Sequence, residues 1–467
     1  METQDFASLP NLFDVDSAQL QKYNKMTTEP VGRLVTEMAV PAIVSMLVSG
    51  FYNLADTFFI GRINTQSTAA IGIVFSYMAV IQAVSFFFGH GSGNFISRAL
   101  GHRDTESAEK MASVGFFSLL ILSSSIALLS FVFMRPLLRF FGSTETIMPY
   151  AVSYFQYIII GTPFITSCFL LNNQMRFQGN AMMSMIGIAS GAVLNIILDP
   201  ILIFVCDLGI SGAGIATAVS QMVSLAVMLV LSGKRGGIRV KISKFKPSWS
   251  HYVEITSGGL PSLLRQGFMC LSAICLNNVA SRHGDAMVAA FSVVNRVMMF
   301  AYAAMVGYGQ GFQPVCGFNY GAGLFHRVKK AFIHSVIVST AYSLVVAFIG
   351  IFFAEPIVTA FRAEDAEVIG IGARVLRYQC CLFPLAGYVV MTNMYLQNIR
   401  RVWSAATLSG ARQGIFLIPA IFILNHYLGM YGVMIAQPIA DIASFLLALP
   451  LGIVAIRKMM MKDNGSY

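Results

Sequence analysis

Asp56, Asn195, Asp199 and Thr217 are oxygen-bearing side chains set inside otherwise apolar stretches. Asn195 stands four residues before Asp199, so a helix carries both on one face. There the amide can bond the carboxylate or offer its own oxygen to a cation. Pro200 follows directly; its ring removes a backbone donor and frees a carbonyl one turn earlier. Two carboxylates, an amide, a hydroxyl and that carbonyl are hard ligands suited to Na+, or an acid pair that shares a proton. A carboxylate at bilayer depth costs about 2.5 to 3.5 kcal/mol, so each one needs a partner or a task. Arg412 and Asp441 form a second set on neighbouring spans, and an ion pair between them accounts for both. Tyr52, Arg265 and Arg296 are candidates to line a cavity, and Pro41 and Pro200 are candidate points of helix bending.

These residues need a membrane scaffold to hold them. The 467-residue chain is 56% hydrophobic and 11% charged, with a mean hydropathy of +0.70, which excludes a soluble multidomain protein. Apolar stretches long enough to cross the hydrocarbon lie near residues 34–60, 68–90, 110–134, 147–174, 181–205 and 212–232. Six more lie near 252–279, 286–311, 329–353, 366–397, 402–424 and 430–456. The expected fold is an all-α integral membrane protein with twelve transmembrane helices in two six-helix bundles. At 1.5 Å per residue, Asp56 is about 33 Å along its span and Asp199 about 27 Å along its own, so both belong to the outer part of the first bundle. Thr217 falls about 7 to 8 Å below the same surface.

A shift of 220 residues lays the second half over the first: Pro41 on Pro261, Arg62 on Arg282, Gly89 and Gly91 on Gly309 and Gly311, and Gly101 on Gly321. Sets of six spans return the chain to its starting side, so the repeats are parallel and related by an axis along the membrane normal. The carboxylate does not repeat. Where one copy reads Leu198-Asp199-Pro200, the other reads Leu417-Ile418-Pro419, as a single ion or substrate site would require.

The domains read as an N-terminal segment 1–33, an N-lobe 34–232, a linker 233–250, a C-lobe 251–457 and a tail 458–467. The linker carries Lys234, Arg235, Arg239, Lys241, Lys244 and Lys246 with no acid. Placing it in the cytoplasm leaves about 21 basic residues on that side and about 5 on the other (Arg62, Arg135, Arg139, Arg282, Arg362), as the positive-inside rule asks. Both termini are then cytoplasmic in a multi-pass plasma-membrane protein, the inner membrane of a bacterium. The net charge of +10 follows from these loops, so no nucleic-acid partner is implied.

Enzyme motifs are missing. The seven histidines show no metal-ligand spacing, Gly233-Lys234-Arg235-Gly236-Gly237 lacks the Walker pattern, and the glycines around His90 fit no nucleophile elbow. Val306-Gly307-Tyr308-Gly309 has the letters of a potassium-channel filter, but it ends a long apolar helix and its repeat reads Phe86-Phe87-Phe88-Gly89.

The segments Pro41–Gly61, Leu194–Pro200 and Leu208–Thr217 carry a resemblance to the multidrug and toxic compound extrusion (MATE) family over residues 30–457, in its DinF-like branch. The resemblance implies a secondary antiporter, not an enzyme: two lobes rock between inward- and outward-open states and export small amphipathic, often cationic compounds against Na+ or H+. It implies no cofactor beyond that coupling ion and places the coupling site at Asp56, Asn195, Asp199 and Thr217. The branch similar to NorM has further acids in spans 7 and 10. Here span 7 offers only Glu254 at its inner end, and span 10 has Arg374 and Arg377. One chain already supplies both lobes, so a functional monomer is expected. The alternative is a flippase of a lipid-linked precursor in the same wider superfamily.

Overall fold

The computed structural model describes residues 17–234, 236–361 and 365–463, with the backbone alone at 462 and 463. Residues 1–16 of the N-terminal segment, Arg235 of the linker, Arg362 and the end of the tail lie outside the described residues. Among the described residues there are twelve helices long and apolar enough to span a membrane and no strand. The first six are α1 (Val31–Gly61), α2 (Thr65–Gly101), α3 (Thr105–Val132), α4 (Met148–Phe177), α5 (Ala181–Val205) and α6 (Gly209–Ser232). The second six are α7 (Trp249–His283), α8 (Asp285–Gly321), α9 (Phe325–Phe352), α10 (Ala366–Asn398), α11 (Val402–Leu428) and α12 (Met430–Met461).

Local chemistry sets the helix starts. The Asn64 side chain accepts from Ser67 N at 2.7 Å to cap α2, and Asp104 accepts from Ser107 N at 2.9 Å to cap α3. Asp365 caps α10 through the amides of Glu367 and Val368. Turns repeat as well: Arg103 takes φ 62° where its repeat has Gly323 at φ 71°. The second copy thus uses a glycine for a left-handed turn that the first forces on an arginine.

Packing follows the duplication. In the N-lobe α2 lies on α4, α4 on α6, α5 on α6 and α1 on α5; in the C-lobe α8 lies on α10, α10 on α12, α11 on α12 and α7 on α11. The lobes meet where α2 packs on α7, α8 on α1, and α2 on α8. Only the linker-facing halves take part fully. From Phe88 to Gly101 in α2, and from Met305 to Gly321 in α8, every residue is buried or half-buried, whereas the other halves alternate with exposed positions.

This seam revises two span boundaries. The glycine-rich stretches near 89–93 and 307–311 are not helix ends, and the Val306–Gly309 run lies inside α8 with twelve residues of helix after it. Glycine inside a membrane helix permits close helix contact instead of ending the helix. A Cβ at Gly101 would sit 2.2 Å from the Phe318 carbonyl oxygen, and one at Gly321 would sit 2.2 Å from that of Arg98. These are the same contact made twice, once by each repeat.

Polar groups close the linker side. Arg98 donates to Glu254 at 3.1 Å and to the Asn398 carbonyl at 3.2 Å; Arg400 pairs with the same Glu254. Deeper in the seam, Arg176 of α4 donates to Gln310 Oε1 at 2.6 Å. The helix Ser17–Thr28 straps both lobes beneath the seam. Tyr23 lies 4.3 Å under the Arg103 guanidinium in the N-lobe, and the Met26 carbonyl accepts from Asn319 in the C-lobe at 3.1 Å. Lys22 donates to the Gly236 carbonyl at 3.4 Å, and burial pushes its ammonium down to about 7.

Candidate functional site

Four helices assemble the acidic cluster in the half of the N-lobe away from the linker. α5 presents Asn195 and Asp199 one turn apart, and Asn195 Nδ2 donates to Asp199 Oδ1 at 3.4 Å and to Thr217 Oγ1 of α6 at 3.5 Å. α1 presents Asp56, with Tyr52 one turn before it and buried. α4 adds a residue that the sequence did not single out: Tyr154 donates from its hydroxyl to Asp56 Oδ2 at 3.5 Å. Tyr150, Tyr154 and Tyr157 read together as an interfacial aromatic belt. Burial separates them, since Tyr154 is 1% exposed and the other two are half-buried.

The cluster is enclosed and unfinished. Asp199 is 0% and Asp56 8% exposed, yet Asp56 Oδ1, Asp199 Oδ2 and Asn195 Oδ1 have no hydrogen-bond partner. No arginine or lysine pairs with either acid among the described residues. Buried acceptors in a native fold are nearly always satisfied, so three unpartnered ones in one place set this cluster apart. Past Pro200 the helix widens to a π-turn over Ile201–Val205. Pro200 has no amide hydrogen to give to the Ile196 carbonyl one turn earlier. Only hard oxygen donors are present, and they fit an alkali cation or a proton better than a transition metal. Consistently, no group of three or more His, Cys, Asp or Glu able to hold a metal occurs among the described residues.

The C-lobe pair has the opposite character. Arg412 Nε donates to Asp441 Oδ1 at 2.7 Å and Nη2 to Oδ2 at 3.4 Å, while Gln437 adds a third bond at 3.0 Å. The guanidinium also lies 4.9 Å over the Tyr302 ring. A π-turn at Ala411–Ile415 carries Arg412.

The three cavity candidates fall in three places. Tyr52 is buried in the N-lobe beside Asp56, Arg265 lines a C-lobe pocket, and Arg296 is an exposed residue of α8. Identical residue types at similar depths do not reveal which lobe face each one takes. Pro41 lies inside an uninterrupted α1, where its carbonyl accepts from Ser45 Oγ at 2.9 Å. Arg374 and Arg377 lie near the start of α10, and Arg377 pairs with Glu355 at 3.1 Å.

Two parallel six-helix lobes, a closed seam on one face and one unshared polar site within a lobe define the class: a polytopic membrane carrier built by internal duplication. The MatE family model matches residues 41–201 and again 261–423, so the two matches begin 220 residues apart and cover more than half of the chain. The chain belongs to the MatE family. It is 26% identical over 436 residues to the multidrug export protein MepA of Staphylococcus haemolyticus, spanning 93% of this chain and 96% of that one. A multidrug resistance MATE family transporter of the MOP superfamily, solved in an outward-facing conformation, superposes with a TM-score of 0.88 at 26% identity, covering 95% and 98% of the two chains. A MATE crystal structure in complex with MaL6 gives 0.88 at 25% identity over 93% and 98%.

Proposed function

We propose that this chain is a cation-coupled multidrug antiporter that exports small amphipathic compounds, with Asp56, Asn195, Asp199 and Thr217 as its coupling site and Na+ or H+ as the ion. The unsatisfied oxygens of the cluster are the observation that carries the reading: three buried acceptors that no protein donor reaches are satisfied when a cation or proton enters. The multidrug export named for the MepA relative supports the substrate class. In this reading the basic linker face is cytoplasmic, both termini lie there, and the seam is the shut cytoplasmic side of an outward-open state. A cation entering from outside binds one lobe arrangement better than the other, and that difference is the whole of the driving force it can supply. The seam then parts, the strap is released, and the cavity faces the cytoplasm to load substrate.

The test is uphill ethidium efflux from proteoliposomes holding wild type or Asp199→Asn, driven separately by a Na+ gradient and a pH gradient. Wild type exports under one gradient and names the ion, while Asp199→Asn folds but does not export. Export by the variant at the wild-type rate would remove the acidic cluster from the mechanism.

A further inference from the structure

Across the molecule from the acids, α7, α8, α10 and α11 enclose a pocket lined by Arg265, Tyr302, Asn393, Ser409, Arg412 and Gln413. Its polar groups are mostly donors. The Gln413 side-chain oxygen is taken by Ser272 Oγ at 3.1 Å, leaving the amide hydrogens to face the pocket. Ser409 Oγ accepts from Asn393 Nδ2 at 2.8 Å and keeps its own proton to give. Arg412 gives Nε and Nη2 to Asp441 and also engages Tyr302, so it is held in place within the protein.

Charge does not balance there. Both Asp441 oxygens are engaged by Arg412 and Gln437, and neither pairs with Arg265. Arg265 makes no hydrogen bond or ion pair with any described residue. Glu254 is the one acid on α7, but it lies about 16 Å nearer the linker face at 1.5 Å per residue and is held by Arg98 and Arg400. The nearby Arg176, bonded only to Gln310 and Asn173, adds to the positive field. An uncompensated guanidinium within a membrane is costly, and it is retained where it lines a path or meets a ligand.

We propose that this C-lobe pocket is an anion subsite that receives the carboxylate of an amphipathic substrate, with Arg265 as the principal donor and the Ser409 hydroxyl and the Gln413 amide beside it. A planar guanidinium takes a carboxylate through two parallel bonds, a recognition that neither a cationic nor a neutral group can satisfy. The proposal rests on the transport reading for the existence of a substrate and deepens it: the favoured compounds are zwitterions, not purely cationic amphiphiles.

Rhodamine 110 and rhodamine 123 share one xanthene core and differ in that the first bears a free carboxylate and the second its methyl ester. Fluorescence polarisation of each dye on the purified full chain in detergent measures the preference. Wild type binds rhodamine 110 about tenfold more tightly, as expected for a charged hydrogen-bonded pair. Arg265→Gln brings the two affinities together by weakening rhodamine 110, while rhodamine 123 still binds, which also shows that the variant is folded. Arg265→Lys retains part of the preference. Equal affinities in wild type, or a preference that survives in Arg265→Gln, overturn the proposal. Loss of uphill export of both dyes with the preference intact would sink antiport and leave the subsite standing; no binding of either dye would sink both.

Discussion

The acidic cluster of the N-lobe and the Arg412–Asp441 pair of the C-lobe incur the same expense, a carboxylate in a membrane, and resolve it differently. Asp441 has three donors on its two oxygens, all within the protein. Asp56 and Asp199 each keep one oxygen with no partner, and the bonds they do make are long, 3.4 and 3.5 Å. A satisfied pair holds helices together; an unsatisfied one stores a demand that only a ligand meets. Duplication gave two copies of the scaffold, and the copies were then free to use buried charge for these separate ends.

Breaking the satisfied pair gives the largest effect. Arg412→Ala strands Asp441 and lowers stability by about 3 to 5 kcal/mol, seen as a collapse of the thermal transition in detergent. The double variant Arg412→Met, Asp441→Leu restores most of it, because a well-packed apolar pair replaces both charges. An Arg412→Ala protein as stable as wild type would erase the contrast.

The unsatisfied cluster responds with the opposite sign. Asp199→Asn leaves ion-free stability unchanged or higher, since it removes a buried charge that nothing compensates. Wild type gains about 2.7 kcal/mol when the coupling ion is raised to 100 times its Kd, and the variant gains nothing. Melting curves across a Na+ titration and a pH series check both statements.

Where the lobes are equivalent, paired variants should agree. Gly101→Ala and Gly321→Ala each drive a Cβ into a carbonyl at 2.2 Å, and each costs about 1 to 3 kcal/mol by overpacking. A difference between them larger than about 0.5 kcal/mol would show that the seam is less symmetric than its geometry.

A pH-dependent effect comes from a half-buried charge outside the membrane. Burial holds Lys22 at about 7, so the folded chain binds that proton less tightly than the unfolded chain. Stability therefore climbs as pH rises from about 7 towards the ordinary lysine value and is flat below 7. Lys22→Met removes the slope: it is more stable than wild type at pH 7, by a margin that shrinks at pH 9.

How much of this was legible varied with the physics involved. Twelve spans and their repeat could be read because bilayer thickness imposes a length and duplication leaves an offset. Asn195 and Asp199 could be placed together because four residues is one helical turn. Tyr154 could not, since a tyrosine at an interface and one aimed at a carboxylate look alike until burial tells them apart. The inner thirds of α2 and α8 misled for a related reason: Gly89, His90, Gly91 and Asn94, or Gly307, Gly309, Gln310 and Gln313, look like turns. They become helix because other helices cover them, α4 over Gly89 and α10 over Gly309 from their own lobes, α7 over Gly91 and α1 over Gly307 from the opposite ones. Arg265 was visible as a charge, but its lack of a partner could be established only once Asp441 was seen to be fully engaged.

The reciprocal glycine contacts also bear on how readily the two halves can come apart. Bare backbone meets bare backbone there, so no side chain must leave its rotamer for those points to separate. Contacts of the Cα–H to carbonyl kind are worth only about 0.5 to 1 kcal/mol each, so a few of them sum to the 1 to 3 kcal/mol that one bound ligand can exert on another site. In the proposed cycle these points add little to the Arg98–Glu254 and Arg176–Gln310 contacts that must also break for the seam to part.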